Sequence, residues 1–200
     1  MKQLVRMKDG ITMKRKHLTK DQILAIAREA QLLKNSSIRS PFTGMATLCN
    51  YVLWKDEKWY QKKLAAYNQA VAEYDQRLDA GEVTLKELSD RLWNKTDFSV
   101  EYTEYTEKDI HVNPKFKFLY EMEKNTIECN NTINEMSTRY LLIHFNVLMD
   151  LGYGKIRLER NKDYVNARLR TVTVVKGERI MDLHRELVDG AGIYIEMPKL

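Results

Sequence analysis

The chain contains few residues that interrupt helices. Only 8 of its 200 residues are glycine and 3 are proline, and these two residue types end or kink helices more strongly than any others. Charged residues make up 30% of the chain, and apolar residues recur among them at three- and four-residue spacing, which is typical of amphipathic helices. We therefore predict a mainly α fold, a helical bundle with long amphipathic helices.

Start and stop signals divide the chain into helical windows. Thr19 and Thr84 each begin a capping box, Asn113 precedes a proline, and Gly81 and Gly152 provide stops. The predicted windows are residues 20–34, 43–80, 84–92, 114–151 and 178–188. The 114–151 window contains an asparagine-rich centre with weak helix propensity, so a break near residue 130 is an alternative to one continuous helix.

Three short segments indicate a small β element. Residues 98–103 alternate apolar and polar side chains, and residues 171–175 and 193–197 are rich in β-branched side chains. We predict that the last two pair around the helix at 178–188.

Composition indicates a single intracellular domain. A hydrophobic content of 44% suffices for a core without disulfides, and the two cysteines are far apart. The amino terminus lacks the apolar run of a signal peptide, and the most apolar stretch, residues 140–151, is too short and polar to span a bilayer. We expect a cytoplasmic protein with a basic arm at 1–17, one helical domain at 18–200 and a sub-boundary near 95–112.

Positive charge is concentrated at the amino terminus. The first 20 residues contain seven Lys or Arg and one Asp, a balance of +6 in a chain whose total is +5. Lys14, Arg15 and Lys16 form the densest part of this arm. A basic arm on a near-neutral body favours an anionic partner at one end of the molecule.

A second basic patch lies at residues 154–170, whose net charge is +4. On a helix, Arg157, Arg160, Tyr164 and Arg168 would form one row, in which the arginines suit phosphate groups and the tyrosine offers a stacking surface. An ordinary solvated helix face is the alternative interpretation.

The segment around the predicted strand at 98–103 is acidic. Glu101, Glu104 and Glu107 are the candidates for a surface that binds a basic partner or the basic arm. A solvated edge strand explains the same charges.

A tyrosine-rich seam occupies the second helical window. Tyr60, Leu64, Tyr67, Val71 and Tyr74 alternate at four and three residues, a heptad-type pattern. Packing inside the same chain is one interpretation, and a homodimer that uses this seam is the other.

No established catalytic motif occurs in the sequence. It contains no Walker A loop, dinucleotide-binding glycine motif, paired-cysteine motif or nucleophile elbow, and its four histidines are far apart. We expect a non-enzymatic protein with no metal site and no cofactor.

Two pairs of segments carry a resemblance. KRKHLTKDQILAIAREAQ with SPFTGMATLCNYVLWKDEKW, and RYLLIHFNVLMDLGYGKIRLERNKDYVN with DLHRELVDGAGIYIE, resemble small phage and prophage proteins of gut Firmicutes. The chain is also similar in these segments to an anti-CRISPR family that inhibits Cas9. The resemblance implies a non-catalytic protein that binds Cas9 with its guide RNA and blocks DNA engagement or cleavage.

Two other functions fit the residues. A phage DNA-binding protein in replication, recombination or packaging would use the arm and the arginine row on DNA. A structural or assembly protein would oligomerise through the tyrosine seam. The basic composition argues against wholesale DNA mimicry and favours contact with guide RNA, DNA or an acidic protein surface.

Overall fold

The computed structural model describes residues 5–6, 12–13, 40–102, 104–174 and 180–196. The chain divides into two compact units, Met1–Asn35 and Ser36–Leu200. In the first unit, strands β1 (Val5–Arg6) and β2 (Thr12–Met13) pair antiparallel, with Val5 opposite Met13. The helix predicted at 20–34 and the predicted boundary after residue 17 lie outside the described residues.

The second unit is helical, which confirms the prediction of a mainly α fold. Its described residues form six α-helices and one short 3₁₀ helix, Glu107–Asp109. The α-helices are α1 (Ser40–Lys55), α2 (Gln61–Asp79), α3 (Leu85–Thr96), α4 (Lys117–Asp150), α5 (Lys155–Val174) and α6 (Ile180–Ala191). Among the described residues, no helix is long and apolar enough to cross a membrane.

Local signals explain several helix ends. The Thr84 side chain accepts a hydrogen bond from the Glu87 backbone N–H, and the Glu87 carboxylate accepts one from the Thr84 N–H, so the predicted capping box starts α3. Gly81 and Gly152 follow α2 and α4 with φ of 70° and 84°, a conformation that favours glycine.

Helix α4 is continuous across its asparagine-rich centre, so the break considered near residue 130 does not occur. It begins at Lys117 rather than at Pro114, because the Asn113 side chain accepts a hydrogen bond from the Lys115 N–H and forms a turn first. Its 34 residues make a helix of about 51 Å.

The predicted single helix over 43–80 is wrong, because residues 56–60 separate α1 from α2. The N–H groups of Asp56 and Glu57 both donate to the Val52 carbonyl, and the Trp59 N–H donates to the Leu53 carbonyl. Lys58 between them has a φ of 58°. The chain therefore reverses without glycine or proline, at a left-handed lysine.

The predicted small β element is also wrong. Residues 98–102 are irregular, residues 171–174 belong to α5, and residues 193–196 follow α6 without strand pairing. Periodicity over five residues cannot distinguish a strand from a loop that happens to bury one face. Phe98 illustrates this, since it packs on Phe145 of α4 with ring centroids 4.7 Å apart.

The core is built around the last third of α4. Residues 142–149 of this helix are all buried, and the helix packs against α1, α2, α3 and α5. A fully buried polar chain crosses it: the Tyr140 hydroxyl lies 3.0 Å from the Tyr67 hydroxyl, which lies 2.6 Å from His144 Nδ1. His144 Nε2 lies 2.8 Å from Asn161 Oδ1. These polar contacts link α2, α4 and α5 and fix their relative positions.

Candidate nucleic-acid interface

The basic face of α5 is largely neutralised by acidic residues from other parts of the second unit. Four of the six cations in residues 154–170 form ion pairs with four acidic side chains outside the helix. The pairs are Lys155 with Asp97, Arg160 with Glu57, Lys162 with Glu101 and Arg168 with Asp56. These four carboxylates offset the net charge of +4, so the face is less attractive to phosphates than the sequence predicts.

The structure places the predicted row on α5, but its members serve different roles. Tyr164 is half-buried against the core, and Arg168 pairs with Asp56 at 3.1 Å. Arg157 lies on the Tyr153 ring, 3.7 Å from its centroid, and forms no ion pair within the described residues. Of the three arginines in this row, Arg157 is the one that combines exposure with no ion pair to a described carboxylate.

Arg160 is held by a buried partner. The Glu57 side chain is only 5% exposed, and its Oε2 accepts hydrogen bonds from Arg160 and from the Tyr153 hydroxyl, each at 3.3 Å. Burial, together with the charge of Glu57, raises the pKa of Tyr153, so the phenol stays protonated and can donate. A buried carboxylate that loses its cation is strongly destabilised, so Arg160 is better explained as a structural residue than as a phosphate ligand.

These pairs orient the turn between α1 and α2. Residues 54–63, WKDEKWYQKK, contain four lysines, three aromatic residues and two acidic residues. Both acidic side chains, Asp56 and Glu57, point to the arginines of α5. The turn therefore presents an excess of lysine to solvent.

We call Lys58, Lys62, Lys63 and Arg157 the basic corner. Lys58 and Lys62 are exposed and form no ion pair within the described residues, and Lys63 Nζ lies 3.8 Å from the centroid of the Trp59 ring. Trp59 in turn contacts Tyr153, the residue on which Arg157 rests, with ring centroids 6.2 Å apart. The aromatic contacts thus connect Lys63 to Arg157 of α5.

An open aromatic pocket of about 500 Å³ lies beside Lys58 of the basic corner. Tyr60 is 66% exposed, whereas Trp59 is 4% exposed and half-buried Trp54 carries the Lys55 ammonium 4.0 Å from its ring centroid. The pocket is lined by Trp54, Lys58, Trp59, Tyr60, Gln61 and Gly190–Gly192.

Glycines let the carboxyl end of α6 close this pocket. A Cβ atom on Gly190 would lie 2.4 Å from the Trp54 ring, and one on Gly192 would lie 2.4 Å from Gln61 Nε2. Gln61 Nε2 donates a long hydrogen bond, 3.4 Å, to the Gly192 carbonyl. The wall is therefore formed by backbone in direct contact with Trp54 and Gln61.

The three acidic candidates make different contacts. Glu101 approaches Lys162 at 3.9 Å, Glu107 approaches Lys124 at 3.5 Å, and both side chains remain mostly exposed. Glu104 is exposed and forms no ion pair within the described residues. Glu101 and Glu104 lie in irregular backbone rather than on an edge strand, and Glu107 begins the short 3₁₀ helix. An acidic surface for a partner stays a prediction.

The tyrosine seam packs inside the chain. Leu64, Tyr67 and Val71 are buried in the core, and the Tyr74 hydroxyl donates to Asp150 at 2.7 Å. Tyr60 is the exception, because it faces the aromatic pocket. In this fold the three buried residues are covered by their own chain, which corrects their assignment as an oligomer seam; a homodimer formed elsewhere stays a prediction.

Lys14, Arg15 and Lys16 of the basic arm lie outside the described residues. Among the residues that the structure does describe, no three His, Cys, Asp or Glu side chains are grouped as a metal site would require. Burial raises the pKa of the Cys49 thiol, which keeps it protonated and unreactive at neutral pH.

The basic corner was not predicted as a site from the sequence, in which Arg157 was a candidate but Lys58, Lys62 and Lys63 were not. Its signal was present in the interleaving of lysine with tryptophan and tyrosine over residues 54–63, the composition of many surfaces that contact single strands. Comparison with protein-family models, with curated proteins and with solved structures gives no match for this chain.

Proposed function

We propose that the protein is a non-catalytic binding protein that engages nucleic acid through the basic corner. The observation that carries the proposal is the arrangement at the turn between α1 and α2. Asp56 and Glu57 pair with arginines of α5, while Lys58, Lys62 and Tyr60 are exposed. Lysines contribute phosphate contacts, and aromatic rings contribute stacking with bases.

The distribution of charge supports the same proposal. Residues 1–35 contain nine basic and three acidic residues, whereas residues 36–200 contain 24 basic and 25 acidic residues. The larger unit is thus slightly acidic, and a long duplex groove on it is disfavoured. A local cationic site together with the basic amino-terminal segment suits a short stretch of nucleic acid.

The partner that we propose is the Cas9–guide RNA complex, as the sequence resemblance implies. Exposed guide RNA would supply both the phosphates and the unpaired bases that the basic corner can bind. Binding there would inhibit the complex by occupancy, without a chemical step. Binding to bare DNA in a replication, recombination or packaging reaction is the alternative outcome of the same experiments.

The decisive comparison uses two triple variants that remove the same charge. Lys58, Lys62 and Lys63 are replaced by alanine in the first variant, and the exposed lysines Lys86, Lys95 and Lys115 are replaced in the control. We expect the wild-type protein and the control to bind Cas9–guide RNA and to inhibit its cleavage of target DNA. The corner variant should lose at least tenfold in affinity.

Three other results would reject part or all of the proposed function. Equal binding by the corner and control variants would remove the basic corner as the interface. Binding of bare DNA, with no effect on Cas9 cleavage, would replace the proposed partner with the DNA-binding alternative. Absence of binding to any nucleic acid or ribonucleoprotein at low salt would reject the function as a whole.

A further inference from the structure

The aromatic pocket beside the basic corner has the features of a base-binding site. Its volume, about 500 Å³, lies in the range of small-molecule pockets, and it opens to solvent beside Lys58. The exposed ring of Tyr60 forms one side, and the edge of Trp54 against the backbone of Gly190 forms another. A flat ring with a charged phosphate attached matches both the aromatic walls and the cation.

We propose that this pocket holds one unstacked base of a single-stranded nucleic acid, with Tyr60 as the stacking platform. This inference rests on the proposed function and adds the class of ligand: single-stranded RNA or DNA rather than duplex. In a duplex each base is stacked between its neighbours, so the Tyr60 ring would have no free base to stack on, whereas a single strand can direct one base inward.

We expect different residues around the pocket to contact the base and the phosphates of the ligand. Tyr60 lies at the amino-terminal cap of α2 and makes no capping hydrogen bond there, so its side chain is available to a ligand. Lys62 and Lys63 follow on the first turn of the same helix, where a phosphate on either side of the bound base would lie within reach.

Gln61 is placed to contact the edge of the base. Its Nε2 makes only a long hydrogen bond, 3.4 Å, to the Gly192 carbonyl at the pocket wall. A base edge that offers an acceptor would replace this weak bond with a shorter one. Gln61 is therefore the residue that we expect to influence which base is preferred, while Tyr60 binds any base.

Lys63 covers the remaining ring. Its ammonium lies 3.8 Å from the centroid of Trp59, which is otherwise buried. The Trp59 face is thus occupied, and Trp54 carries Lys55 on its ring. Tyr60 is the most exposed of the three aromatic residues, so we expect one base, stacked on Tyr60, in the pocket.

The test compares three fluorescent probes in anisotropy titrations with the full-length protein at low salt. The probes are an oligothymidylate of about 12 nucleotides, an abasic oligomer of the same length and charge, and a duplex containing the same strand. The proteins are the wild type, Tyr60→Ala, Tyr60→Phe and Lys62→Ala. Thermal melting of each variant verifies that it folds, and a change in tryptophan fluorescence reports occupancy of the pocket, which Trp54 and Trp59 line.

We expect the wild type to bind the oligothymidylate most tightly. Tyr60→Ala should weaken that binding about tenfold and leave the affinity for the abasic oligomer unchanged, and Tyr60→Phe should retain it, because stacking needs the ring and not the hydroxyl. Lys62→Ala should weaken binding of both single strands by the same factor, since it removes a phosphate contact.

Two results would overturn the base pocket and leave the proposed function intact. One is equal affinity of Tyr60→Ala and the wild type for oligothymidylate, and the other is equal wild-type affinity for all three probes. Failure of the wild type to bind any probe would overturn the base pocket together with bare nucleic-acid binding, and the Cas9 comparison would then decide the function separately.

Discussion

Burial of His144 predicts that the protein loses stability in mild acid. The imidazole is fully buried, and that burial lowers its pKa from 6.5 to about 4. Its neutral form fits the contacts: Nδ1 accepts from the Tyr67 hydroxyl, and Nε2–H donates to Asn161 Oδ1. Protonation would place a charge inside the core.

The magnitude follows from the difference in pKa between the folded and unfolded states. Below pH 6.5 the unfolded chain protonates this histidine while the folded chain does not, so the unfolded state binds more protons. The free energy of unfolding therefore falls as the pH falls from about 6.5 to about 4. A pKa difference of about 2.5 units at 1.36 kcal/mol per unit gives a loss of about 3 kcal/mol.

The assay is urea denaturation at a series of pH values between 7 and 4, for the wild type and for His144→Gln. Glutamine can still donate to Asn161 but does not titrate, so carboxylate titrations elsewhere affect both proteins equally. We expect the unfolding free energy of the wild type, relative to that of His144→Gln, to fall by about 3 kcal/mol on acidification. A difference that stays constant across this range would refute the assignment of a neutral, buried His144.

Three further perturbations test the capping box of α3, the ion pair of Arg160 and the basic arm. Thr84→Ala removes the capping box with Glu87 and should lower the free energy of unfolding by about 1 kcal/mol in denaturant titrations, with unchanged binding; an unchanged unfolding midpoint would contradict it. Arg160→Ala leaves buried Glu57 without its cation and should cost about 2 kcal/mol, less than the ~3–5 of a fully buried pair because half of Arg160 is exposed. Loss of RNA affinity without loss of stability would instead make Arg160 a ligand. Deletion of residues 1–17 should weaken partner binding and leave the melting temperature of the larger unit unchanged, and a large drop in that temperature would show that the arm belongs to the core.

The helical class and several helix ends could be predicted from the sequence because the signals are local. The capping box at Thr84, the stop at Gly152 and the three-four spacing of α4 depend on neighbours within a few residues. The turn at residues 56–60 could not be predicted, because it contains no glycine or proline and depends on Lys58 in a left-handed conformation. Its acidic residues are fixed by arginines about one hundred positions later.

In the candidate site, the helix could likewise be predicted from neighbouring residues, whereas the ion-pair partners come from distant parts of the sequence. The sequence places Arg157, Arg160 and Arg168 on one helix correctly, but only the fold shows that the last two meet Glu57 and Asp56. The β prediction at 171–175 failed for a related reason, since the helix α5 continues through residue 174 despite its β-branched residues. Tertiary packing commonly overrides such weak propensities.

The salt dependence of binding reports how many cations of the basic corner contact phosphate groups. Four cations of the basic corner, at about 0.7 counterions released per single-strand phosphate, give an expected slope of about −2.8 in log affinity against log salt, in addition to any contribution from the basic arm. The measurement is a salt titration of single-stranded RNA binding by the wild type, the corner triple variant and the control triple variant. Loss of Lys58, Lys62 and Lys63 should make the slope about 2 units shallower, and the control should keep the wild-type slope. Identical slopes for all three proteins would contradict a nucleic-acid interface at the basic corner.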